Sequence, residues 1–203
     1  MVKSLSHAYD GNKKMIKFGG CNWIVLNVQE NRMLLLSYLV IERKAYDLSG
    51  YCSVSWEFSN LRKYLNGRFY ITSFFGEEKT RIATTTLQNN GNSWYKTRKS
   101  NDTKDKIFLL SVEEVIKYLG DSGALANRML MGKNAHEICD QYNHARTACD
   151  ERGTASSWAL RTPGATCNKI AVVTGGVSFG HINMAGCKLR ETFGIRPALW
   201  VYR

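Results

Sequence analysis

A chain of 203 residues is long enough for one large domain and needs neither a metal nor a disulfide to fold. Its composition, with 44% hydrophobic and 22% charged residues, excludes a disordered chain, a collagen and a coiled coil. Lysine and arginine total 28 against 17 aspartates and glutamates, and the net charge of +11 attracts anions such as nucleic acids or acidic proteins.

The sequence contains no membrane-spanning or secretory pattern. No stretch approaches the ~18 uncharged apolar residues of a membrane span, and residues 1–20 lack the apolar core of a signal peptide. We therefore expect a cytoplasmic protein, whose six cysteines remain free thiols in a reducing compartment. If the protein were exported by another route, Cys167 and Cys187 would be the first candidates for a disulfide.

The N-terminal third predicts a strand meander followed by a short helix. Runs of β-branched and aromatic residues at 15–18, 22–28 and 33–41 are separated by glycine or polar turns, which is typical of strands. Ser59 is a suitable N-cap for a helix over residues 60–66, and Gly67 is expected to end it.

The rest of the chain predicts a long loop, two helices and then short strands. Residues 88–106 are polar and predict a loop, and residues 107–110 predict a buried strand. Ser111 and Glu114 form a capping box for a helix over 112–119, which Gly120 closes. A second helix is expected over 134–150. Strands are then expected at 157–160, 169–174, 177–183 and 194–202.

An ordered series of motifs extends from Phe18 to Tyr202. Its first half contains Trp23-x-Val25-Leu26, Leu34-Leu35-Leu36-Ser37 and Trp56-x-x-Ser59-x-Leu61-Arg62-x-x-Leu65-Asn66. Its second half contains Lys106-Ile107-Phe108-Leu109-Leu110-Ser111-x-x-Glu114, Trp158-x-Leu160-Arg161-x-Pro163-Gly164 and Gly194-Ile195-Arg196-Pro197-Ala198-Leu199-Trp200. With this series the chain resembles an uncharacterised domain family, a domain of unknown function, associated with gut bacteria and their phages.

The C-terminal half also resembles C-type-lectin-like domains, in which a tryptophan-rich strand, a glycine hairpin and a closing strand complete a twisted sheet. The resemblance implies a single α+β domain over residues 1–203, with twisted antiparallel sheets and a few short helices. If a phage encodes the protein, the virion or the host-cell cytoplasm becomes its expected location.

The chain departs from the lectin-like relatives at their functional positions. It lacks the triplets with which sugar-binding lectins hold calcium, and no reactive cysteine pair of the related oxidases is evident. It also lacks the asparagine-crowded tail of diversified phage receptor binders. The resemblance therefore implies a fold and little chemistry.

Two arginines near the C-terminus are candidate ligand-binding residues. Arg161 and Arg196 could clamp an anion, because guanidinium groups bind carboxylate or phosphate through two parallel hydrogen bonds. The glycine hairpin at 175–180 would add contacts through Gly175, Gly176 and Ser178. The alternative is that both arginines bond to neighbouring carbonyl groups.

A basic loop is the candidate for nucleic-acid binding. Interleaved aromatic rings and cations suit stacking on bases and neutralisation of phosphates. The residues concerned are Trp94, Tyr95, Lys96, Arg98, Lys99, Lys104 and Lys106. The alternative is a solvated, mobile loop whose tryptophan folds back onto the core.

Metal binding and catalysis find little support in the sequence. His136, Cys139, His144 and Cys149 are ligand types that zinc accepts, but their spacing is unlike that of zinc knuckles. Phosphate-binding, dinucleotide-binding and hydrolase motifs are missing from the sequence, so we expect no metal, no cofactor and no enzyme activity.

Two hypotheses for function follow. The first is a non-catalytic binding module that recognises a macromolecule, which we expect to be a protein, through loops of a lectin-like scaffold. The alternative is a basic intracellular protein of a phage or mobile element that binds nucleic acid or a nucleoprotein, such as an inhibitor of a CRISPR-type host defence.

Overall fold

The computed structural model describes residues 14–49 and 54–203. Strands dominate these residues. They are β1 Met15–Phe18, β2 Cys21–Val28, β3 Arg32–Ser37, β4 Glu42–Ala45, β5 Ile82–Ala83, β6 Thr85–Leu87, β7 Thr103–Asp105, β8 Glu137–Ile138, β9 Trp158–Pro163, β10 Lys169–Val173, β11 Ile182–Lys188, β12 Thr192–Ile195 and β13 Ala198–Tyr202.

The helices are short. The α-helices are α1 Asn60–Tyr64, α2 Tyr70–Ser73, α3 Glu77–Arg81, α4 Val112–Leu119 and α5 Asn143–Arg146. Single turns of 3-10 helix occur at Trp56–Phe58, Arg128–Met131 and Gly176–Ser178, and a π-helical turn spans Leu65–Phe69. No helix in the described ranges is both long enough and apolar enough to traverse a lipid bilayer.

The strands form two larger sheets and a ribbon. One sheet has the order β1-β2-β3-β13-β5, the second has the order β4-β12-β9-β10-β11-β8, and β6 pairs with β7. The strand pairs are antiparallel apart from β12 and β9, which meet in parallel at Gly194 and Trp158. The structure is thus a single α+β domain with antiparallel sheets and few short helices, as predicted; its likeness to C-type lectins stays a prediction.

A single apolar core joins the two sheets. Trp23 on β2 and Trp158 on β9 are fully buried, and Trp56 and the inner side chains of both sheets belong to the same cluster. The indole nitrogens still find acceptors: that of Trp23 donates to the Phe18 carbonyl over 2.7 Å. Buried tryptophans with a bonded N–H are stable core residues, because no polar group is left unsatisfied.

The C-terminal strand is divided, which corrects the predicted single strand at 194–202. β12 lies in the six-stranded sheet and β13 lies in the five-stranded sheet, so the chain changes sheets at Arg196 and Pro197. Proline lacks an N–H and cannot continue a strand ladder through this point. The Pro197 carbonyl instead accepts from the Ser37 N–H over 2.9 Å, which fixes the crossing.

The predicted helix caps are correct, but Gly67 does not end the first helix. Ser59 accepts a hydrogen bond from the Arg62 N–H, and Ser111 and Glu114 form the reciprocal capping box at the start of α4. Beyond α1 the chain continues through the π-helical turn into α2, because burial of Leu65 and Phe69 outweighs the low helix propensity of glycine.

Four further predictions for the middle and the end of the chain are wrong in whole or in part. Residues 134–150 do not form one helix but contain β8, a turn and α5, because Asp140 accepts from the Tyr142 N–H and turns the chain. The predicted loop at 88–106 ends in β7, and residues 107–110 are buried with one bridge, from Phe108 to Ala198, in place of a strand. Residues 177–181 precede β11 instead of belonging to it.

Candidate functional site

A cavity of about 430 Å³ lies between the loop that follows β6 and the β9–β10 turn. Arg161 of β9 and Asn89 line it together with Tyr46, while Lys96 and Arg98 come from the loop. We call it the basic-loop cavity. Its volume falls within the ~300–1,000 Å³ typical of small-ligand pockets. The structure therefore brings Arg161 of the predicted ligand-binding site and two cations of the predicted nucleic-acid-binding loop to the same cavity.

Arg161 is held rigidly at the inner wall of this cavity. One terminal nitrogen donates to the Leu109 carbonyl over 2.9 Å and contacts the Glu114 carboxylate, and the other donates to the Gln88 carbonyl over 3.3 Å. The residue is only 6% exposed. Its Nε finds no hydrogen-bond acceptor among the described residues. Arg161 thus lines the cavity with a buried, charged side chain that keeps one N–H unpaired among the described residues.

Asn89 and Tyr46 add buried polar groups to the cavity wall. The Asn89 amide nitrogen donates to the Asn101 carbonyl over 2.8 Å, whereas its Oδ1 has no donor within the described ranges. Burial raises the pKa of the Tyr46 hydroxyl, so this side chain is neutral and protonated. A buried acceptor without a donor costs about 1–3 kcal/mol, which a ligand N–H would recover.

The loop at the cavity mouth is anchored to both neighbouring strands. Asn92 is buried, and its amide nitrogen donates to the Pro163 and Met184 carbonyls, each over 2.9 Å. A Cβ on Gly91 would lie 1.9 Å from the Thr97 carbonyl oxygen, so the loop closes on itself only with glycine there. This part of the basic loop is therefore fixed rather than mobile.

Lys96 and Arg98 are the exposed cations at the mouth. Lys96 has φ = 50° and is the one non-glycine residue with positive φ in the described chain. Such a conformation costs an L-residue roughly 1–2 kcal/mol and persists where the surroundings impose it. Here the Asn92 N–H donates to Thr97 Oγ1 over 2.7 Å and closes the turn that carries Lys96.

The two aromatic residues of the basic loop are already engaged in packing. The Trp94 indole donates to the Leu125 carbonyl over 3.1 Å and the ring packs on the core. The Tyr95 ring stacks on His136, to which its hydroxyl bonds over 2.7 Å. The Arg128 guanidinium lies 5.2 Å from the centre of each ring. As the alternative interpretation predicted, the tryptophan folds back onto the core.

The remaining cations of the basic loop do not gather in one place. Lys99 and Lys104 are exposed, and Lys104 lies on β7. Lys106 donates to the Tyr70 hydroxyl over 2.7 Å and lies 4.3 Å from the centre of that ring. Two of the seven predicted nucleic-acid-binding residues, Lys96 and Arg98, thus combine exposure with a position at the cavity mouth.

Arg196 and the glycine hairpin lie apart from the cavity lining. Arg196 is fully buried at the crossing between the sheets, where its Nε donates to the Ser37 carbonyl over 2.9 Å and its guanidinium packs 5.0 Å from the Trp158 ring. The Gly175 N–H donates to the Ser157 hydroxyl, and Gly176 and Ser178 form an exposed turn. The structure does not place these residues beside Arg161 in one binding site.

The histidines and cysteines considered for zinc are also dispersed. In the described part of the chain, no three side chains of His, Cys, Asp or Glu stand together as a metal site. Cys139 instead contacts His181, with 3.2 Å between Sγ and Nε2. Cys167 and Cys187 are both free thiols.

Sequence reasoning missed Asn89, Asn92 and His181. The two asparagines lie in the polar run that predicts a loop, and the neighbouring residues in the sequence do not distinguish a buried asparagine from a solvated one. For His181 a signal existed: Glu137-Ile-Cys139 and His181-Ile-Asn183 both alternate polar with apolar residues, which is typical of a half-buried strand pair.

A family model described as a domain of unknown function, DUF6273, matches residues 30–203. No curated protein and no solved structure matches the chain with significance. The match includes both larger sheets from β3 onward, the basic-loop cavity and the crossing at Pro197. The chain therefore belongs to the DUF6273 family of domains of unknown function.

Proposed function

We propose that this domain is a non-catalytic binding module for a protein ligand, built on a lectin-like scaffold, and that it recognises the ligand at the basic-loop cavity. The carrying observation is that Arg161 Nε–H and Asn89 Oδ1, on two buried residues that line this cavity, have no hydrogen-bond partner among the described residues, while Lys96 and Arg98 are exposed at its mouth. Buried polar atoms without partners are rare in folded proteins, and a ligand is one reason to keep them.

The donor and the acceptor together favour a peptide over a simple anion. A carboxylate oxygen would accept from Arg161, and a peptide N–H would donate to Asn89, so one acidic residue and its own backbone satisfy both atoms. Lys96 and Arg98 would attract further acidic groups of the same segment. We therefore expect the ligand to insert an acidic loop or a chain terminus into the cavity.

A peptide library displayed on phage and selected against the protein tests this proposal. We expect selected peptides to be enriched in aspartate and glutamate. Reversal of the two mouth charges, Lys96→Glu with Arg98→Glu, should weaken their binding by on the order of 10-fold, as about 1.4 kcal/mol implies. The matched control is Lys14→Glu with Lys17→Glu, which reverses two exposed charges beside and on β1.

Two outcomes would contradict the proposal. One is a selection without acidic enrichment, and the other is an equal loss of binding in the mouth variant and the control variant. An equal loss would mean that overall charge, and not the cavity, determines binding.

The second candidate function is binding of nucleic acid or a nucleoprotein by an intracellular phage or mobile-element protein. The net charge of +11 and the exposed cations Lys96, Arg98, Lys99 and Lys104 favour it. The packing of Trp94 and Tyr95 opposes base stacking, so this binding would rest on phosphate contacts. Electrophoretic mobility shift at two salt concentrations tests it: affinity should fall steeply with salt, and absence of a shift at low salt would eliminate it.

A further inference from the structure

The edge of the six-stranded sheet carries three chemically active side chains on one face. β8 and β11 are antiparallel, with Ile182 opposite Ile138, and continuing this register by one position sets His181 opposite Cys139. Side chains alternate between the faces of a strand, so Glu137 shares the face of Cys139 while both isoleucines are buried on the other. We call Glu137, Cys139 and His181 the Cys139 face.

The distances on the Cys139 face are those of a nucleophile, a base and an acidic neighbour. Cys139 Sγ lies 3.2 Å from His181 Nε2, and His181 Nδ1 lies 3.3 Å from a carboxylate oxygen of Glu137, an ion-pair distance without hydrogen-bond geometry. The Asn143 amide nitrogen donates to the same sulfur over 3.4 Å, which stabilises negative charge there. Cys139 is exposed, so a reagent can reach the sulfur.

The backbone around His181 is fitted closely to the neighbouring helix. Gly180 has φ = 75°, and a Cβ on it would lie 1.8 Å from the Asn143 carbonyl oxygen. Its N–H donates to the Thr174 carbonyl over 2.8 Å. The turn before His181 therefore packs closely on α5. This packing holds the backbone of His181 next to Cys139.

An open cleft of about 500 Å³ adjoins the Cys139 face. Cys139 and Glu137 line it together with Leu130 and Met131 of the 3-10 turn. Leu130 is 56% exposed, so this cleft offers an apolar wall beside a thiol. A substrate with an apolar group and an electrophilic carbon matches that combination.

We propose that Cys139 is a nucleophile that accepts one acyl group from an ester or thioester with an apolar acyl chain, in a stoichiometric self-acylation separate from ligand binding at the basic-loop cavity. His181 Nε2 takes the thiol proton as Sγ forms a bond to the acyl carbon. The bond from that carbon to the leaving oxygen or sulfur then breaks, and the proton on His181 passes to the leaving group. Glu137 lies beside Nδ1 and stabilises the imidazolium that exists between the two proton transfers.

Acetylation by p-nitrophenyl acetate, followed by peptide mass spectrometry, tests the proposal on the intact protein. Because His181 lies beside Cys139 to take the thiol proton as the bond forms, we expect Cys139 to acetylate at least roughly 10-fold faster than Cys167. Cys167 is the internal control, because it is also exposed and contacts no histidine in the described ranges. His181→Gln should bring Cys139 down to the rate of Cys167.

His144→Gln is the matched control for the histidine substitution. His144 is exposed on α5, its ring packs 5.1 Å from the Phe179 ring, and it is not part of the cleft lining, so its loss should leave acetylation of Cys139 unchanged. An unaltered circular dichroism spectrum and urea midpoint of His181→Gln would show that the variant is folded. Equal rates at Cys139 and Cys167 in the natural protein, or the same slowing by both histidine substitutions, would overturn the proposal.

Discussion

The basic-loop cavity and the Cys139 face are held in place by different kinds of interaction. The position of the basic loop is fixed by Asn92, whose neutral amide donates to carbonyl groups of two strands far away in the sequence. In the region of the Cys139 face, the residue after Cys139 is Asp140. It forms a buried ion pair with Arg146, six residues later, with 2.9 Å between Asp140 Oδ1 and Arg146 Nη1. One region is anchored over long range without charge, and the other is anchored locally by charge.

This difference indicates how each region should respond to perturbation. Loss of one partner in a buried ion pair leaves an isolated charge, which is far more costly than a lost neutral hydrogen bond. Single substitutions and acid should therefore lower the stability of the region around the Cys139 face strongly. Single substitutions in the basic loop should lower the stability less.

The largest expected effect is that of Asp140→Asn. Arg146 is fully buried, so removal of the opposing charge should lower the free energy of unfolding by about 3–5 kcal/mol. Urea denaturation measures the change. Asp102→Asn is the control, since Asp102 is exposed and should change stability by less than ~0.5 kcal/mol. Similar losses in the two variants would remove the distinction between the regions.

Asn92→Ala should have a smaller effect. The Pro163 and Met184 carbonyls would lose their donor, and a buried unsatisfied group costs about 1–3 kcal/mol. Thermal denaturation measures the stability, and limited proteolysis should then cut the loop near residue 92. The exposed neighbour Asn90, replaced by alanine, provides the control and should leave both readouts unchanged.

Acid should weaken the natural protein through Asp140. Burial alone would raise the pKa of this carboxyl, but hydrogen bonds from Ser122 and Arg146 outweigh it and hold the pKa below 3.8. A lowered folded-state pKa contributes stability above pH 3.8, and this contribution is lost as the pH falls further. Urea midpoints between pH 7 and pH 3 should therefore fall less steeply in Asp140→Asn, and parallel profiles would contradict this assignment.

The parts of the fold that the sequence predicts are those that local interactions determine. The capping box of Ser111 and Glu114 and the first strands follow from neighbouring residues alone. The division of the C-terminal strand at Pro197 depends on a partner far away in the chain, Ser37, although proline itself is a signal for it. The turn at Asp140 is local, but a helix over the same residues is an equally local alternative, and the sequence does not decide between them.

The candidate site was predictable only in its charged residues. Guanidinium chemistry identified Arg161, and the run of cations identified Lys96 and Arg98, which the structure brings to one cavity. Their proximity could not be predicted, because it arises from the bonds of Asn92 to two distant strands. The same holds for Cys139 and His181, which meet only through pairing of β8 with β11.

The crossing at Arg196 and Pro197 has a consequence for biosynthesis. β12 lies between β4 and β9, and β13 lies between β3 and β5, so interior positions of both sheets are filled by strands that follow all the other described strands in the chain. Neither sheet can close while residues 192–202 remain inside the ribosome. Such long-range pairing slows folding, so the nascent protein must keep the edges of β3, β4, β5 and β9 unpaired and soluble until these residues have emerged.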